Sequence, residues 1–290
     1  MQQMVTPQSV NLGLGQPVID TPPELIEVVN LVMNTADLGY TTFQGIPELR
    51  VAIAAHVIGP GGSAENVCIT VGTTEAFYAA MMTLLEPGDE VLIPNPGFIS
   101  YQAVTQIAGA NPQYYPVPAS NGFKLSVDLI ESRITDRTKV LVINSPNNPT
   151  GRVIDQRTLQ QMGALADEHG FYILSEEVYR SIDFSDRATS AWGVGENVLI
   201  IDGISKIYAM TGWRPGWIIG EPELVKRITT MHHYMVACAP AIAQQVLLKL
   251  YADDQHIAKQ MAFQEDVITI PGSAFGDQGE GYLRLSFAVT

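Results

Sequence analysis

From residue 67 onward, short apolar runs alternate with longer stretches whose apolar positions recur every three to four residues. The runs at 67–71 (VCITV), 139–144 (KVLVIN) and 198–202 (VLIID) are apolar almost throughout. Such runs read as strands buried on both faces rather than strands with one wet side. Shorter strands are expected at 90–93, closed by Pro94, at 113–116 and at 171–174, with a further apolar run at 216–220. Helices are expected at 73–85, 100–108, 127–134 and 157–169, and one long helix from 223 to about 250. This alternation predicts an α/β protein with a mostly parallel sheet covered by helices.

In such sheets ligands bind beyond the carboxyl ends of the strands, so the residues after each strand carry the functional information. Five of these segments are rich in polar and turn residues: 72–74 (GTT), 94–98 (PNPGF), 145–151 (SPNNPTG), 175–179 (SEEVY) and 203–206 (GISK). Loops that only connect elements seldom concentrate so much chemistry.

The chain has 290 residues, enough for two domains or for one large unit with an appendage. Hydrophobic residues make up 46% and charged residues 16%, which excludes a disordered chain. The net charge of -14 argues against a nucleic-acid or anionic-lipid surface, both of which need a basic face. Cys68 and Cys238 are too few for a disulfide framework and read as two buried thiols. No apolar run approaches the length of a membrane span, and residues 1–10 show no signal-peptide pattern, so the expected setting is the cytoplasm.

Several residues carry candidate chemistry. Lys206 follows an apolar strand and is either a surface lysine or a desolvated amine able to form a Schiff base. Arg214, eight residues later, can grip a phosphate bidentately. Gly72-Thr73-Thr74 lies between a strand and a helix, as a plain cap or as an anion cradle. Glu176 can face a ring nitrogen or solvate its loop, while Tyr179 and Asn148 offer hydrogen-bond donors at neighbouring strand ends. Arg284 sits centrally in the strand-like run 282–287 and needs a carboxylate, from the protein or from a substrate. The adjacent His232 and His233 do not share a helix face for a metal, and no metal site is expected. Trp213 and Trp217 read as packing residues. The neighbours Glu176 and Glu177 should point to opposite sides.

The order of these motifs resembles the class I/II aminotransferases, the fold type I pyridoxal-phosphate-dependent family. The matching stretches are 15–17 (GQP), Tyr40 with 45–50 (GIPELR), 71–76 (VGTTEA), 87–91 (PGDEV), 144–151 (NSPNNPTG), 175–179 (SEEVY), 205–214 (SKIYAMTGWR) and 271–276 (PGSAFG) through Phe287. The resemblance implies a large cofactor domain at 36–248 and a reduced small domain built from 1–35 and 249–290. It implies pyridoxal 5'-phosphate bound to Lys206 as a Schiff base, with the freed amine later shuttling a proton. Glu176 would pair with the ring nitrogen, and Tyr179 and Asn148 with the ring oxygen. Phe98 would stack on the ring. Gly72, Thr73, Thr74, Ser205 and Arg214 would hold the phosphate. Tyr40 would reach the phosphate of a partner subunit, which implies a homodimer. Gly15, Asn148 and Arg284 would bind the substrate, Arg284 through its α-carboxylate.

Three departures from the family pattern stand out. Glu176 occupies a position where the family usually has Asp, and Gly203 one where it often has Ser or Thr. The chain is also short, chiefly between residues 263 and 267, and again between 56 and 65 and after 287. The expected activity is transfer of an amino group between an L-amino acid and a 2-oxo acid. Neutral or aromatic substrates are favoured because no second arginine is evident for a side-chain carboxylate. Elimination, decarboxylation or oxidative chemistry on the same fold is the alternative, and a cofactor-binding sensor without turnover is the remote one.

Overall fold

The computed structural model describes residue 15 and residues 23–183, 188–252, 269–271, 275–279 and 283–285, the backbone alone for 269–271 and 283–285. Two helices come first, α1 (Pro23–Thr35) and α2 (Pro47–Val57). Both open on proline followed by glutamate, which suits a first turn whose N–H groups lack carbonyl partners and attract negative charge. The sheet then begins with β1 (Val67–Val71), followed by α3 (Gly72–Leu84), β2 (Glu90–Asn95), α4 (Ile99–Ile107) and β3 (Asn111–Pro116). Next come the short α5 (Val127–Glu131), β4 (Thr138–Asn144), α6 (Gln156–His169) and β5 (Tyr172–Glu176). The series closes with β6 (Val198–Gly203), β7 (Pro215–Ile219), α7 (Pro222–Val236) and α8 (Ala241–Ala252). A separate antiparallel pair joins β8 (Thr269–Pro271) to β9 (Leu283–Leu285).

Seven strands form one sheet in the order β1-β7-β6-β5-β4-β2-β3. All neighbours are parallel except β7, which runs antiparallel to both β1 and β6. The α/β reading, with a mostly parallel mixed sheet, therefore holds. Alternation along each strand divides the core between the two faces. On β4, Leu141 and Ile143 pack with α1, α2, α6 and α8, whereas Val140 and Val142 pack with α3, α4 and α7.

The sequence pattern misjudges several places. Pro94 does not close its strand but lies within β2, opposite Tyr115. The long helix expected from 223 is two helices. Ala237 takes a left-handed φ of 64°, and Pro240 has no N–H to continue the ladder, so α7 ends and α8 starts anew. The helix expected at 127–134 stops at Glu131. Cys68 is buried as expected, but Cys238 is only half-buried beside the break between α7 and α8. The shortened stretch expected between residues 263 and 267 lies outside the described residues.

Candidate active site

The parallel strands β4, β5 and β6 end side by side, with Asn144 opposite Glu176 and Glu176 opposite Ile201. This register brings the segments after β4, β5 and β6 to one edge of the sheet, where the N-terminus of α3 joins them. Glu176 is the centre of the resulting cluster. The Tyr101 hydroxyl donates to its Oε2 at 2.5 Å. Thr73 also hydrogen-bonds its carboxyl, and Lys206 lies close enough to act on it by charge. Burial raises the Glu176 pKa above the ordinary carboxylate range, and these three groups pull it back.

The main chain of this cluster is stitched across strands. Asn144 Nδ2 donates to the Glu176 carbonyl at 2.9 Å, and the Ser145 N–H donates to the same carbonyl at 3.2 Å. The Asn144 Oδ1 accepts from the Asn148 N–H at 2.5 Å, which orients the 147–151 loop. Ser205 is buried and Lys206 half-buried at the turn after β6. Lys206 Nζ donates to the Gly15 carbonyl at 2.5 Å. Gly203 is explained by crowding: a Cβ there would stand 2.9 Å from the Pro215 carbonyl oxygen and 3.0 Å from the Gly216 Cα. A serine or threonine in its place would force β6 and β7 apart.

The Gly72 corner has the character of an anion site. Gly72 takes φ 75°, and a Cβ at this position would strike the Arg214 guanidinium, which lies directly against the Gly72 backbone. Arg214 itself is left-handed at φ 60°, with Nη1 donating to the Thr211 carbonyl at 2.8 Å. Helix α3 starts without a side-chain cap on its first N–H groups. Helix dipole and guanidinium thus converge on one point, as a phosphate requires. The corner is braced from behind: Glu75 accepts from the Val71 N–H at 3.0 Å and pairs at 3.1 Å with Nδ1 of the fully buried His232.

The other expected residues fall into two groups. Phe98 and Tyr179 are half-buried at the same edge, and the Phe98 ring meets Tyr101 edge-on at 5.7 Å. Asn148 keeps a buried Oδ1 without a hydrogen-bond partner among the described residues. The anion corner, this unmatched amide and the lysine–glutamate pair together fit a phosphorylated pyridine aldehyde. Thr74 is exposed in the first turn of α3, beside Thr73, whereas Tyr40 is 93% exposed. Arg284 lies on β9 opposite Ile270, and its side chain is outside the described residues. A cavity of about 470 Å³ shares Asn144 and Asn147 with this edge but is not lined by Lys206, Glu176 or Arg214.

Sequence reading misses Tyr101. Its signal is the spacing of three from Phe98 at the start of α4, which places both rings on one helix face. Glu177 turns away from Glu176, as strand alternation requires, toward Ser175 and Ser190.

The profile of the family described as "Aminotransferase class I and II" matches residues 7–270. The chain belongs to the class I and II aminotransferase family. It is therefore an enzyme of the amino-group-transferring class. A relative named probable aspartate aminotransferase from Methanocaldococcus jannaschii is 30% identical, covering 98% of this chain and 90% of the relative. A relative named aromatic-amino-acid aminotransferase 2 from Thermococcus litoralis is 30% identical over 96% of this chain and 87% of its own length. The solved structure of an aromatic aminotransferase from Pyrococcus horikoshii superposes with a TM-score of 0.91 at 28% identity, covering 100% of this chain and 93% of that one. A Thermus thermophilus aspartate aminotransferase variant also gives 0.91, at 27% identity over 100% and 94% of the two chains. The alignment with the Methanocaldococcus relative runs over 341 residues against a chain of 290, so that aminotransferase carries residues inside the matched span that this chain lacks. Among the described residues, no helix is long and apolar enough to cross a membrane.

Proposed function

We propose that this aminotransferase uses pyridoxal 5'-phosphate, held at the Glu176–Lys206 cluster, to move an amino group between an L-amino acid and a 2-oxo acid. The observation that carries the reading is the meeting of Glu176, Thr73, Tyr101 and Lys206 at the ends of β5 and β6, beside the Gly72–Arg214 corner. When bound, the cofactor supplies an electron-accepting ring that makes the substrate Cα–H acidic.

The chain's own residues do the rest. Lys206 provides the amine that attaches the cofactor and, once free, takes up and returns the Cα proton. Glu176 presents a carboxylate to the ring nitrogen, held in place by Tyr101. Tyr179 and Asn148 donate to the ring oxygen, and Phe98 packs on the ring face. The N–H groups of Gly72–Thr74, the hydroxyls of Thr73, Thr74 and Ser205, and Arg214 hold the phosphate. Gly15, Asn148 and Arg284 receive the substrate, Arg284 at its α-carboxylate.

Neutral or aromatic amino acids suit the site best. A dicarboxylic substrate needs a second cation, and Arg180 is already committed to Glu177 and Asp202. In this reading the enzyme is cytoplasmic and homodimeric; the dimer fits the exposed aromatic surface of Tyr40, Phe43 and Tyr234, in which Phe43 stacks on His233 at 3.7 Å. Residues 36–248 form the cofactor domain in this reading, with 1–35 and 249–290 as the small one. The test is product analysis with a panel of amino acids and a 2-oxo acid acceptor. Equal yields of new amino acid and new oxo acid support the reading, with aromatic or neutral donors ahead of aspartate. Release of ammonia or carbon dioxide without amino transfer overturns it in favour of elimination or decarboxylation.

A further inference from the structure

Two segments carry the chemistry assigned above, one from Glu176 to Tyr179 and one from Gly203 to Lys206. The backbone ladder between β5 and β6 ends at Glu176 opposite Ile201, with one further bond from the Glu177 N–H to the Ile201 carbonyl at 2.8 Å. Beyond that rung the ladder does not set the spacing of Tyr179 and Lys206.

A group of charged side chains spans this gap, on the side of the sheet away from the Glu176 carboxyl. Glu177 Oε1 accepts from the Ala191 N–H at 2.8 Å and from the Ser175 and Ser190 hydroxyls at 3.1 Å. Asp202 Oδ1 accepts from the Gly203 N–H at 2.7 Å. Arg180, the residue after Tyr179, stands between the two carboxylates. Its Nε is 3.2 Å from Glu177 Oε2 and its Nη2 is 3.8 Å from Asp202 Oδ2. The three side chains are 19%, 1% and 10% exposed for Arg180, Glu177 and Asp202. The Arg180–Glu177 contact is an ion pair without hydrogen-bond alignment, as expected of a guanidinium shared between two partners.

The balance of charge makes this arginine hard to replace. Among the described residues, two buried carboxylates face one cation, and the Glu176 charge raises Asp202 further. Burial raises both carboxyls, Asp202 to about 7, while Arg180 pulls both back. Tyr251 from α8 and His56 from α2 also act on the group. Burial holds the tyrosine protonated, and burial with Arg180 lowers the histidine pKa. Neither supplies a second positive charge at neutral pH.

We propose that Arg180 is a positioning residue that ties the Glu176–Tyr179 segment to the turn bearing Lys206, by bridging Glu177 and Asp202. The inference rests on the roles given above to Lys206, Glu176 and Tyr179. A misplacement of about 1 Å between reacting groups costs up to about 100-fold in rate, so a tie at this point acts on turnover without touching the substrate.

The test uses the holoenzyme and three variants, Arg180→Met, Arg180→Lys and Asp202→Asn. Arg180→Met is expected to lower kcat by about 10–100-fold, to leave the amino-acid KM within about twofold, and to displace the pH midpoint of the bound cofactor's visible absorbance. Arg180→Lys restores the charge but cannot span both carboxylates, so it recovers only part of the rate. Asp202→Asn keeps the shape and the acceptor for Gly203 while removing excess negative charge. It therefore remains informative if Arg180→Met fails to fold, and its kcat and midpoint should move in the same direction. A folded Arg180→Met or Asp202→Asn enzyme with wild-type kcat and midpoint overturns the proposal, as does a lowered urea midpoint with unchanged turnover per folded molecule. A wild-type chain that develops no visible band with pyridoxal phosphate overturns the functional reading itself, and this inference with it.

Discussion

The Tyr101 hydroxyl donates a 2.5 Å hydrogen bond to the carboxylate of Glu176, 75 residues away in sequence. The phenol keeps its proton because burial, and then the neighbouring carboxylate, push its pKa well above the ordinary value. It is thus a permanent donor that fixes where the longer glutamate side chain ends.

Tyr101→Phe removes the donor and leaves a buried carboxylate oxygen short of a partner. A hydrogen bond to a charged group contributes about 1.5–3 kcal/mol. The expected outcome is a rise of about tenfold or more in the dissociation constant for pyridoxal phosphate, with kcat lowered as well. Titration by cofactor fluorescence reads the first and steady-state kinetics the second. Wild-type values for both would show that Tyr101 does not hold Glu176 for this task.

Much of the fold, and the sheet edge that carries the candidate site, was legible in the chain because fully apolar strands mark which segments lie inside. The residues following 67–71, 139–144 and 198–202 had to emerge at one edge. Tyr101 and Arg180 were not legible for the opposite reason. Their partners are fixed by strand register and helix docking, and neither has a local pattern that sets it apart from a core tyrosine or a surface arginine. The helices α1 and α2 did carry a local signal, Pro-Glu at 23–24 and 47–48, which a reading led by strands passes over. The break between α7 and α8 was signalled by Pro240 but masked by apolar residues that continue the periodicity.

At the phosphate corner, Gly72→Ala places a methyl group into the Arg214 guanidinium on a backbone at φ 75°. A left-handed residue with a Cβ costs about 1–2 kcal/mol before the collision is counted. The expected result is loss of cofactor affinity by at least about tenfold, with Arg214→Lys giving a smaller loss of the same kind. Equilibrium dialysis with pyridoxal phosphate measures both. A Gly72→Ala protein that binds the cofactor normally would remove this corner from the account.

Asp202 makes stability depend on pH with a definite sign. Burial, only partly relieved by Arg180, raises its folded-state pKa to about 7, above the ordinary aspartate value of 3.8. The folded chain therefore binds the proton more tightly than the unfolded chain. The stabilisation is complete below about pH 4 and is lost as pH rises toward and through 7. Asp202→Asn removes this loss. Thermal midpoints of the wild type should fall relative to the variant between about pH 4 and about pH 7, with the two curves parallel well above that range. Parallel curves throughout would show that Asp202 titrates normally.

The role proposed for the exposed Tyr40 needs a second chain. Light scattering should give twice the chain mass, and Tyr40→Phe should weaken cofactor binding by a few-fold, on the order of one hydrogen bond. A monomer that is fully active would contradict the shared site.

The central claim is that Lys206 and Glu176 form a working cofactor site. Its most direct test is the visible absorbance of the purified chain with pyridoxal phosphate, recorded before and after an amino acid and then after a 2-oxo acid. The account predicts a visible band that is absent in Lys206→Ala, is bleached by the amino acid and returns with the oxo acid. A band that persists unchanged in Lys206→Ala, or one that no amino acid bleaches, would contradict it.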